Sequence, residues 1–296
     1  MTWQLTYSLA EFERVAGEHL RADPVRQTVP LTVLASLALN GDAAFGDSPP
    51  AFAWHQQPDG TVDGAVLRTP PFPLLAASFP TGSARALLDA LSAAGGLPDA
   101  VNVARTDEAS VLGAWAELTG GTGIARMRSC LYRLGQLTPA EPAPPGAARV
   151  AGPADVRLLV DWHHAFHAEA GGFAEDSARI VADRLSHAGL MLWEVRAEPV
   201  AMAGITREVA GVVRVAGVYT PLEHRRHGYG GAITAAASQA ALAAGASEVV
   251  LVTDLANPAS NALYQRLGFE PIEHRVVLDL AGGGSPPGLS GQRHDG

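Results

Sequence analysis

Apolar positions in the second half of the chain change repeatedly between two spacings. Short continuous or alternating apolar runs predict β-strands, whereas apolar residues spaced three and four apart predict helices. On this basis the strands are residues 190–196, 200–206, 212–220, 248–253 and 271–278, and the helices are 155–169, 176–187, 232–244 and 258–267. The resulting order, ααβββαβαβ, predicts an α/β domain with a mixed sheet.

The first half repeats this order coarsely, without repeating the sequence. Helices are predicted at 8–20, 31–39, 83–94 and 106–118, and strands at 51–55, 61–67, 74–78, 100–103 and 126–134. A chain of 296 residues is long enough for two domains. We therefore predict domains at 1–136 and 149–280, a proline-rich linker at 137–148 and a disordered tail at 281–296.

A glycine-containing turn follows the strand 212–220. Residues 225–231, Arg-Arg-His-Gly-Tyr-Gly-Gly, lie between that strand and an alanine-rich helix. The N–H groups and the dipole of a helix N-terminus attract anions, and glycine lets a phosphate approach the backbone. The turn is not a dinucleotide motif, which needs glycine where Ile233 stands, and the chain has no lysine for a P-loop. The sequence therefore predicts an anion site of another kind.

A second block, residues 257–269, reads Asn-Pro-Ala-Ser-Asn-Ala-Leu-Tyr-Gln-Arg-Leu-Gly-Phe. Asn257 is a favourable N-cap, Pro258 suits the first helical position, and Gly268 suits the position that ends a helix. Asn261 and Tyr264 are three residues apart and share one face. The block therefore predicts a short helix that presents an amide and a phenol on the same side.

Together, the Arg-x-x-Gly-x-Gly turn and the block 257–269 resemble the two signatures of the GCN5-related N-acetyltransferases (GNAT). The resemblance implies the acetyltransferase fold, and acetyl-coenzyme A as co-substrate with its pyrophosphate on the glycine turn. It also implies that backbone groups at the end of the strand 212–220, which matches the family's fourth strand, bind pantetheine and the oxyanion formed from the thioester carbonyl. The cofactor-binding residues expected from it are Val218, Tyr219, Thr220, Arg225, Arg226, His227, Gly228, Tyr229, Gly230, Gly231, Asn257 and Asn261.

The same resemblance implies direct attack of an amine on the thioester, with Tyr264 as the general acid that protonates the leaving thiolate. Many members of the family use a glutamate on the fourth strand as general base, but Arg214 is the only charged residue in that strand here. The base therefore stays open among Glu169, His167, Glu194 and a chain of water molecules, with Glu169 as the tentative choice.

Three histidines, His163, His164 and His167, lie close together in the first predicted helix of the second half. His163 and His167 have the spacing of helical metal ligands, but the glutamate of the H-E-x-x-H motif is missing. We expect no metal. The histidines are expected to line an acceptor cleft with Trp162, Phe166 and Phe173, or simply to pack.

The first half lacks the glycine turn. At the equivalent place it has residues 79–83, Phe-Pro-Thr-Gly-Ser, and its helix 106–118 has no tyrosine. We predict a degenerate acetyltransferase-like domain, with an unrelated α+β domain as the alternative. A single active site is therefore expected, in the second half.

Composition narrows the possible partners. A net charge of −9 argues against nucleic acid and is compatible with a cationic amine of a small molecule or peptide. The sequence contains no apolar run of membrane-spanning length, no secretory signal pattern and a single cysteine, Cys130, so a cytoplasmic location is expected by default. The oligomeric state is not indicated. The alternatives to a small-molecule or peptide N-acetyltransferase are an enzyme resembling mycothiol synthase and a non-catalytic coenzyme A sensor.

Overall fold

A computed structural model describes residues 2–170 and 176–282. The described chain packs into two compact units, each assembled from separate stretches. The first unit contains residues 2–16, 45–127 and 276–282, and the second contains 17–44, 128–170 and 176–275. Two of the four boundaries fall inside long strands and one falls inside a helix, so the units do not coincide with the continuous domains predicted from composition. Those domains stay a prediction.

The first unit is built on a sheet with the strand order β1-β2-β3-β4-β5. Its strands are β1 Thr2–Thr6, β2 Ala51–Gln56, β3 Val62–Arg68, β4 Leu74–Ser78 and β5 Ala100–Ala104, and its helices are α3 Ala84–Ala93 and α4 Glu108–Thr119. Neighbouring strands are antiparallel except β4 and β5, which are parallel. The helix α1, Leu9–Arg21, begins in this unit.

The second unit has the strand order β6-β11-β10-β9-β8-β7. Its strands are the second part of β6 Thr122–Leu134, then β7 Ala147–Val150, β8 Leu190–Val195, β9 Glu198–Ile205, β10 Val212–Tyr219, β11 Glu248–Asp254 and the first part of β12 Phe269–Ala281. Its helices are α2 Thr28–Asn40, α5 Val156–Ala170, α6 Ser177–Leu185, α7 Tyr229–Ala243 and α8 Pro258–Arg266. The neighbours β10 and β11 are parallel, and β11 is antiparallel to β6.

Helices cover both faces of this sheet. Successive strand residues point to opposite sides, so the strands present apolar side chains on both faces. Ile233 of α7 and Tyr264 of α8 pack with Val213 and Val215 of β10 on one side. On the other side Leu159 and Val181, from α5 and α6, pack with Leu192 and Met202. The helix α2 also contacts β10.

The mixed α/β fold is confirmed, and the structure corrects several local predictions. Strands β1 and β7 were not predicted, and α7 begins at Tyr229 rather than at residue 232. Residues 283–296 of the predicted tail lie outside the described residues, whereas β12 continues to Ala281. Among the residues that the structure describes, no helix combines the length and the apolar character needed to cross a bilayer.

Candidate active site

The strands β10 and β11 separate near their middle. Their parallel pairing runs from Val212 to Val215 on β10 and goes no further. Beyond it, β10 pairs only with β9, through an irregularity that contains Gly217 at φ 65°, while residues 252–254 of β11 pair with β6. The predicted coenzyme-binding stretch at Val218 to Thr220 therefore begins where β10 has left β11.

The glycine turn closes directly onto the N-terminus of α7. Arg226 and Gly228 have φ values of 65° and 84°, and Gly228 caps the helix without a side-chain bond. The first intrahelical hydrogen bond runs from the Ala232 N–H to the Gly228 carbonyl, so the N–H groups of residues 229–231 precede the helical ladder. Gly230 and Gly231 thus lie in the first helical turn, not before it. This geometry suits an anion.

The Arg225 side chain is bonded to neighbouring groups of the protein and does not extend along the glycine turn. Its Nη2 donates to Glu169 Oε2 at 2.6 Å, its Nε donates to the Thr220 carbonyl at 2.9 Å, and its guanidinium lies 5.9 Å from the ring centre of Tyr219. The Tyr219 hydroxyl donates to Glu169 Oε1 at 3.4 Å. The adjacent Arg226 is exposed and makes no ion pair within the described residues. Arg226 is therefore the better placed of the two arginines to meet a phosphate.

Glu169 was the tentative base, but its contacts make it a weak choice. Both of its carboxylate oxygens accept hydrogen bonds, and protonation would cost the ion pair with Arg225. We expect Glu169→Gln to keep kcat within about fivefold of the wild-type value, a change of about 1 kcal/mol. Binding of acetyl-coenzyme A should tighten at low salt, because the turn then carries one more unpaired positive charge.

Steady-state kinetics and a calorimetric titration at two salt concentrations check this prediction. A loss of kcat by about 10²-fold or more would restore Glu169 as the base.

The helix α8 is fixed by hydrogen bonds from the two asparagines of the second motif. Asn257 Oδ1 accepts from the Ser260 N–H at 3.0 Å, which confirms the N-cap. Asn261 Nδ2 donates to the carbonyls of Asp254 and Asn257 at 2.8 and 2.7 Å. The Tyr132 hydroxyl donates to Asn261 Oδ1 at 2.9 Å. Sequence reasoning missed Tyr132, since it lies 129 residues earlier on β6.

Tyr264 lies in the core between α8 and the sheet. It is 8% exposed, and its ring meets Phe269 edge-on at 6.1 Å. Burial raises the pKa of the Tyr264 phenol to about 12, because the phenolate loses hydration there. The phenol therefore keeps its proton throughout the neutral range, which a general acid requires.

The other candidate bases lie in different surroundings. Glu194 Oε1 accepts from Arg149 Nε at 2.7 Å on the β7 side of β8, and β9 separates β8 from β10. His167 lies on α5 with its Nε2 3.3 Å from His163 Nε2. No group of three or more histidine, cysteine or acidic side chains with metal-binding geometry occurs in the described residues. Phe173 lies outside them.

The proline-rich segment before β7 belongs to the second unit and is hydrogen-bonded to other parts of it. The Pro145 carbonyl accepts from Trp193 Nε1 at 2.9 Å, and the Thr138 N–H donates to the Leu267 carbonyl at 3.0 Å. A Cβ atom added at Gly228 would lie 3.7 Å from Pro144. The segment predicted as a linker therefore forms one side of the glycine turn.

Comparisons with known proteins find the same fold in solved structures. The sequence profile of the acetyltransferase (GNAT) family matches residues 157–269. An acetyltransferase of the GNAT family from Colwellia psychrerythraea superposes with a TM-score of 0.61 at 12% identity, covering 95% of this chain and 99% of the other. A GCN5-related N-acetyltransferase from Kribbella flavida gives a TM-score of 0.52 at 25% identity, covering 86% and 96%. One from Sphaerobacter thermophilus gives 0.56 at 14%, covering 87% and 92%. No curated protein matches the chain in sequence.

Proposed function

Because residues 157–269 form a domain of the acetyltransferase (GNAT) family, we propose that this protein transfers an acetyl group from acetyl-coenzyme A to an amine. The amine belongs to a small molecule or a peptide. The observation that carries the proposal is the separation of β10 from β11 beside a helix whose first three N–H groups precede its first intrahelical hydrogen bond. This arrangement offers a slot for an extended chain and an anion site at its end.

The coenzyme would be held by groups of two kinds. Its pyrophosphate would accept hydrogen bonds from the N–H groups of residues 229–231 and an ion pair from Arg226. Its pantetheine amides would pair with the backbone of β10 beyond Val215, where β11 no longer does so. Glycine at position 230 leaves room for the pyrophosphate. Among the described residues, an added Cβ would contact only Thr220 Oγ1 at 3.4 Å and Leu263 at 3.9 Å.

The reaction would then proceed by direct attack. The amine nitrogen forms a bond to the acetyl carbonyl carbon, the carbonyl becomes an oxyanion held by N–H donors near Val218 to Thr220, and the carbon–sulfur bond breaks. Tyr264 would give its proton to the leaving sulfur, which has a thiol pKa of about 8.5. The nitrogen loses a proton to water as the amide forms, Tyr264 regains a proton from water, and coenzyme A and the acetylated amine leave the site.

The experiment is a calorimetric titration with acetyl-coenzyme A, combined with a thiol-release assay on a panel of amines. Gly230→Ala should bind acetyl-coenzyme A about tenfold or more weakly, since one charge-assisted hydrogen bond contributes about 1.5–3 kcal/mol. The matched control is Gly113→Ala in the interior of α4, where an added Cβ meets no atom of the described residues within 4 Å.

The outcomes separate three functions. Binding together with turnover supports the proposal, and binding without turnover on any amine favours a non-catalytic coenzyme A sensor. Turnover only with an amino group on a sugar-thiol precursor favours an enzyme resembling mycothiol synthase. If the wild-type protein shows no binding, the proposal is wrong.

A further inference from the structure

A bulge on β10 lies where this strand leaves β11. Ala216 of β10 lies opposite Gly204 of β9, and the regular register is lost between Ala216 and Tyr219. Gly217, at φ 65°, is the first residue of this irregular stretch. An irregularity of this kind bends a strand and increases its twist. The bulge therefore directs β10 away from β11 immediately after their pairing has ended at Val215.

The guanidinium of Arg184 lies against this bulge. Arg184 belongs to the last turn of α6, and its Nη1 donates to the Ala216 carbonyl at 3.5 Å. A Cβ atom added at Gly217 would lie 2.9 Å from Nη1, and a Cβ atom added at Gly204 would overlap the same nitrogen. The two glycines therefore leave a notch across β9 and β10, and the guanidinium occupies it.

The backbone of Arg184 is fixed at the end of α6. Its carbonyl accepts from the Gly189 N–H at 2.8 Å and from the His187 N–H at 3.3 Å, and these bonds close the chain after the helix. One turn earlier on α6, Val181 is buried and packs with Leu192 of β8. The guanidinium therefore connects a firmly packed helix to the bulge on β10.

Gly217 does not fix its own conformation. Glycine adopts positive and negative φ values about equally well, so the bulge needs a neighbour that selects one shape. The guanidinium fills the space beside Gly217 and keeps its charge at every pH at which the protein is folded. Its 3.5 Å separation from the Ala216 oxygen is long for a hydrogen bond, so packing and charge contribute more than that bond. Arg184 is therefore placed to select the shape of the bulge.

The same guanidinium brings a positive charge close to the place where negative charge forms. In the proposed reaction the oxyanion is held by N–H groups near Val218 to Thr220, directly after Gly217. Opposite charges attract more strongly in a site that excludes water than in bulk water. The guanidinium therefore favours the oxyanion by its charge as well as by the shape that it gives to β10.

We propose that Arg184 is a positioning residue for acetyl transfer, which fixes the bulge at Gly217 and thereby directs the N–H groups that hold the oxyanion. This inference rests on the proposed function and adds a residue that lies outside both sequence motifs. The bonds formed and broken stay the same, since the amine attacks the acetyl carbon and the carbon–sulfur bond breaks. Arg184 neither gives nor takes a proton in any step.

The test compares Arg184→Gln with Arg179→Gln, a change of the same kind at an exposed position of the same helix. We expect Arg184→Gln to lower kcat by about 10–10²-fold, because a small displacement of the groups around the reacting atoms has effects of this size. The Kd of acetyl-coenzyme A should change far less, since the proposed pyrophosphate site at α7 is untouched. Arg179→Gln should keep kcat. Rates are measured well below the Tm of each variant, so that loss of folded protein does not contribute.

Two further measurements separate positioning from a general loss of stability. Millimolar guanidinium should restore part of the rate of Arg184→Ala, whereas urea, which has a similar shape and no charge, should not. Gly217→Ala should also lower kcat, because its Cβ displaces the guanidinium. When Gly217→Ala is combined with Arg184→Gln, the loss should be smaller than the product of the two single losses, since both remove the same contact.

Failure of the proposed function and failure of this inference give different results. If the wild-type protein releases no coenzyme A with any amine, both are wrong. If the wild-type protein turns over an amine and Arg184→Gln keeps its kcat, only the role of Arg184 is wrong. Equal losses in Arg184→Gln and Arg179→Gln would also overturn that role, because they would show a general effect on α6. Losses in Arg184→Gln and Gly217→Ala that multiply would overturn it as well, because the two residues would then act independently.

Discussion

Replacing Tyr264 by phenylalanine is expected to lower kcat by about 10²–10⁴-fold, the usual contribution of a positioned general acid. The hydroxyl belongs to a side chain that is 8% exposed, and the ring packs against Phe269, so the phenyl ring should keep this packing. The Kd of acetyl-coenzyme A should change little, because the proposed anion site lies at the N-terminus of α7. Single-turnover kinetics measures the chemical step, and calorimetry measures the affinity.

Tyr132→Phe is the comparison for this variant. It removes a hydroxyl from a second buried tyrosine of the same core, where the hydroxyl donates to Asn261. We expect a loss of about 1 kcal/mol in the free energy of unfolding and a far smaller loss of rate. Equal kcat for Tyr264→Phe and the wild-type protein, with chemistry rate-limiting, would remove the acid role.

The pH dependence of the rate gives a second test of Tyr264 as the general acid. Because the pKa of the buried phenol is raised to about 12, its protonated form is present at every pH at which the enzyme can be assayed. The rate should therefore show no alkaline fall from Tyr264 below about pH 10. Any alkaline limb that appears at lower pH should persist in Tyr264→Phe.

Of the variants proposed for this protein, Gly268→Ala is expected to lower the free energy of unfolding the most. Gly268 has φ 92°, and an added Cβ would overlap the Gln136 carbonyl oxygen. A left-handed conformation alone costs about 1–2 kcal/mol for other residues, and the overlap must be relieved by moving the backbone. We expect a total loss of at least about 2–3 kcal/mol and a fall in Tm of roughly 5–10 °C by thermal unfolding.

The matched control is Gly245→Ala. Gly245 follows α7 as Gly268 follows α8, with φ 104°, but an added Cβ there meets nothing within 4 Å. Its loss should be limited to the conformational cost. The difference in the loss of unfolding free energy between the two variants measures the effect of the close approach of residues 135–138 to the end of α8. Equal losses would show that this approach contributes nothing.

Local sequence patterns predicted the parts of the site that are continuous in the chain. The strand β10, the glycine turn and α7 follow one another, and the boundaries of α8 follow from Asn257 and Pro258. Such elements can be predicted because capping residues and apolar spacing act within a few residues. The predicted start of α7 was three residues too late, because Gly230 and Gly231 are weak helix formers that nevertheless lie in its first turn.

Contacts between distant residues could not be predicted in this way. Glu169 and Arg225 are 56 residues apart, and nothing in either neighbourhood indicates the other. In the pairing of β6 with β11, Arg133 lies opposite Val250. The same pairing places the Tyr132 hydroxyl within hydrogen-bonding distance of Asn261. A single sequence contains no information on such pairing beyond strand propensity, so β6 was assigned to the first half alone.

The docked segment before β7 has a consequence for how this protein can change by recombination. An exchange of residues 149–280 with a relative would import a glycine turn without the Pro144 that lies beside it and a β11 without its partner strand β6. The incoming part would have to match sequence that it did not bring. Residues 149–280 are therefore expected to be inherited together with the sequence that precedes them.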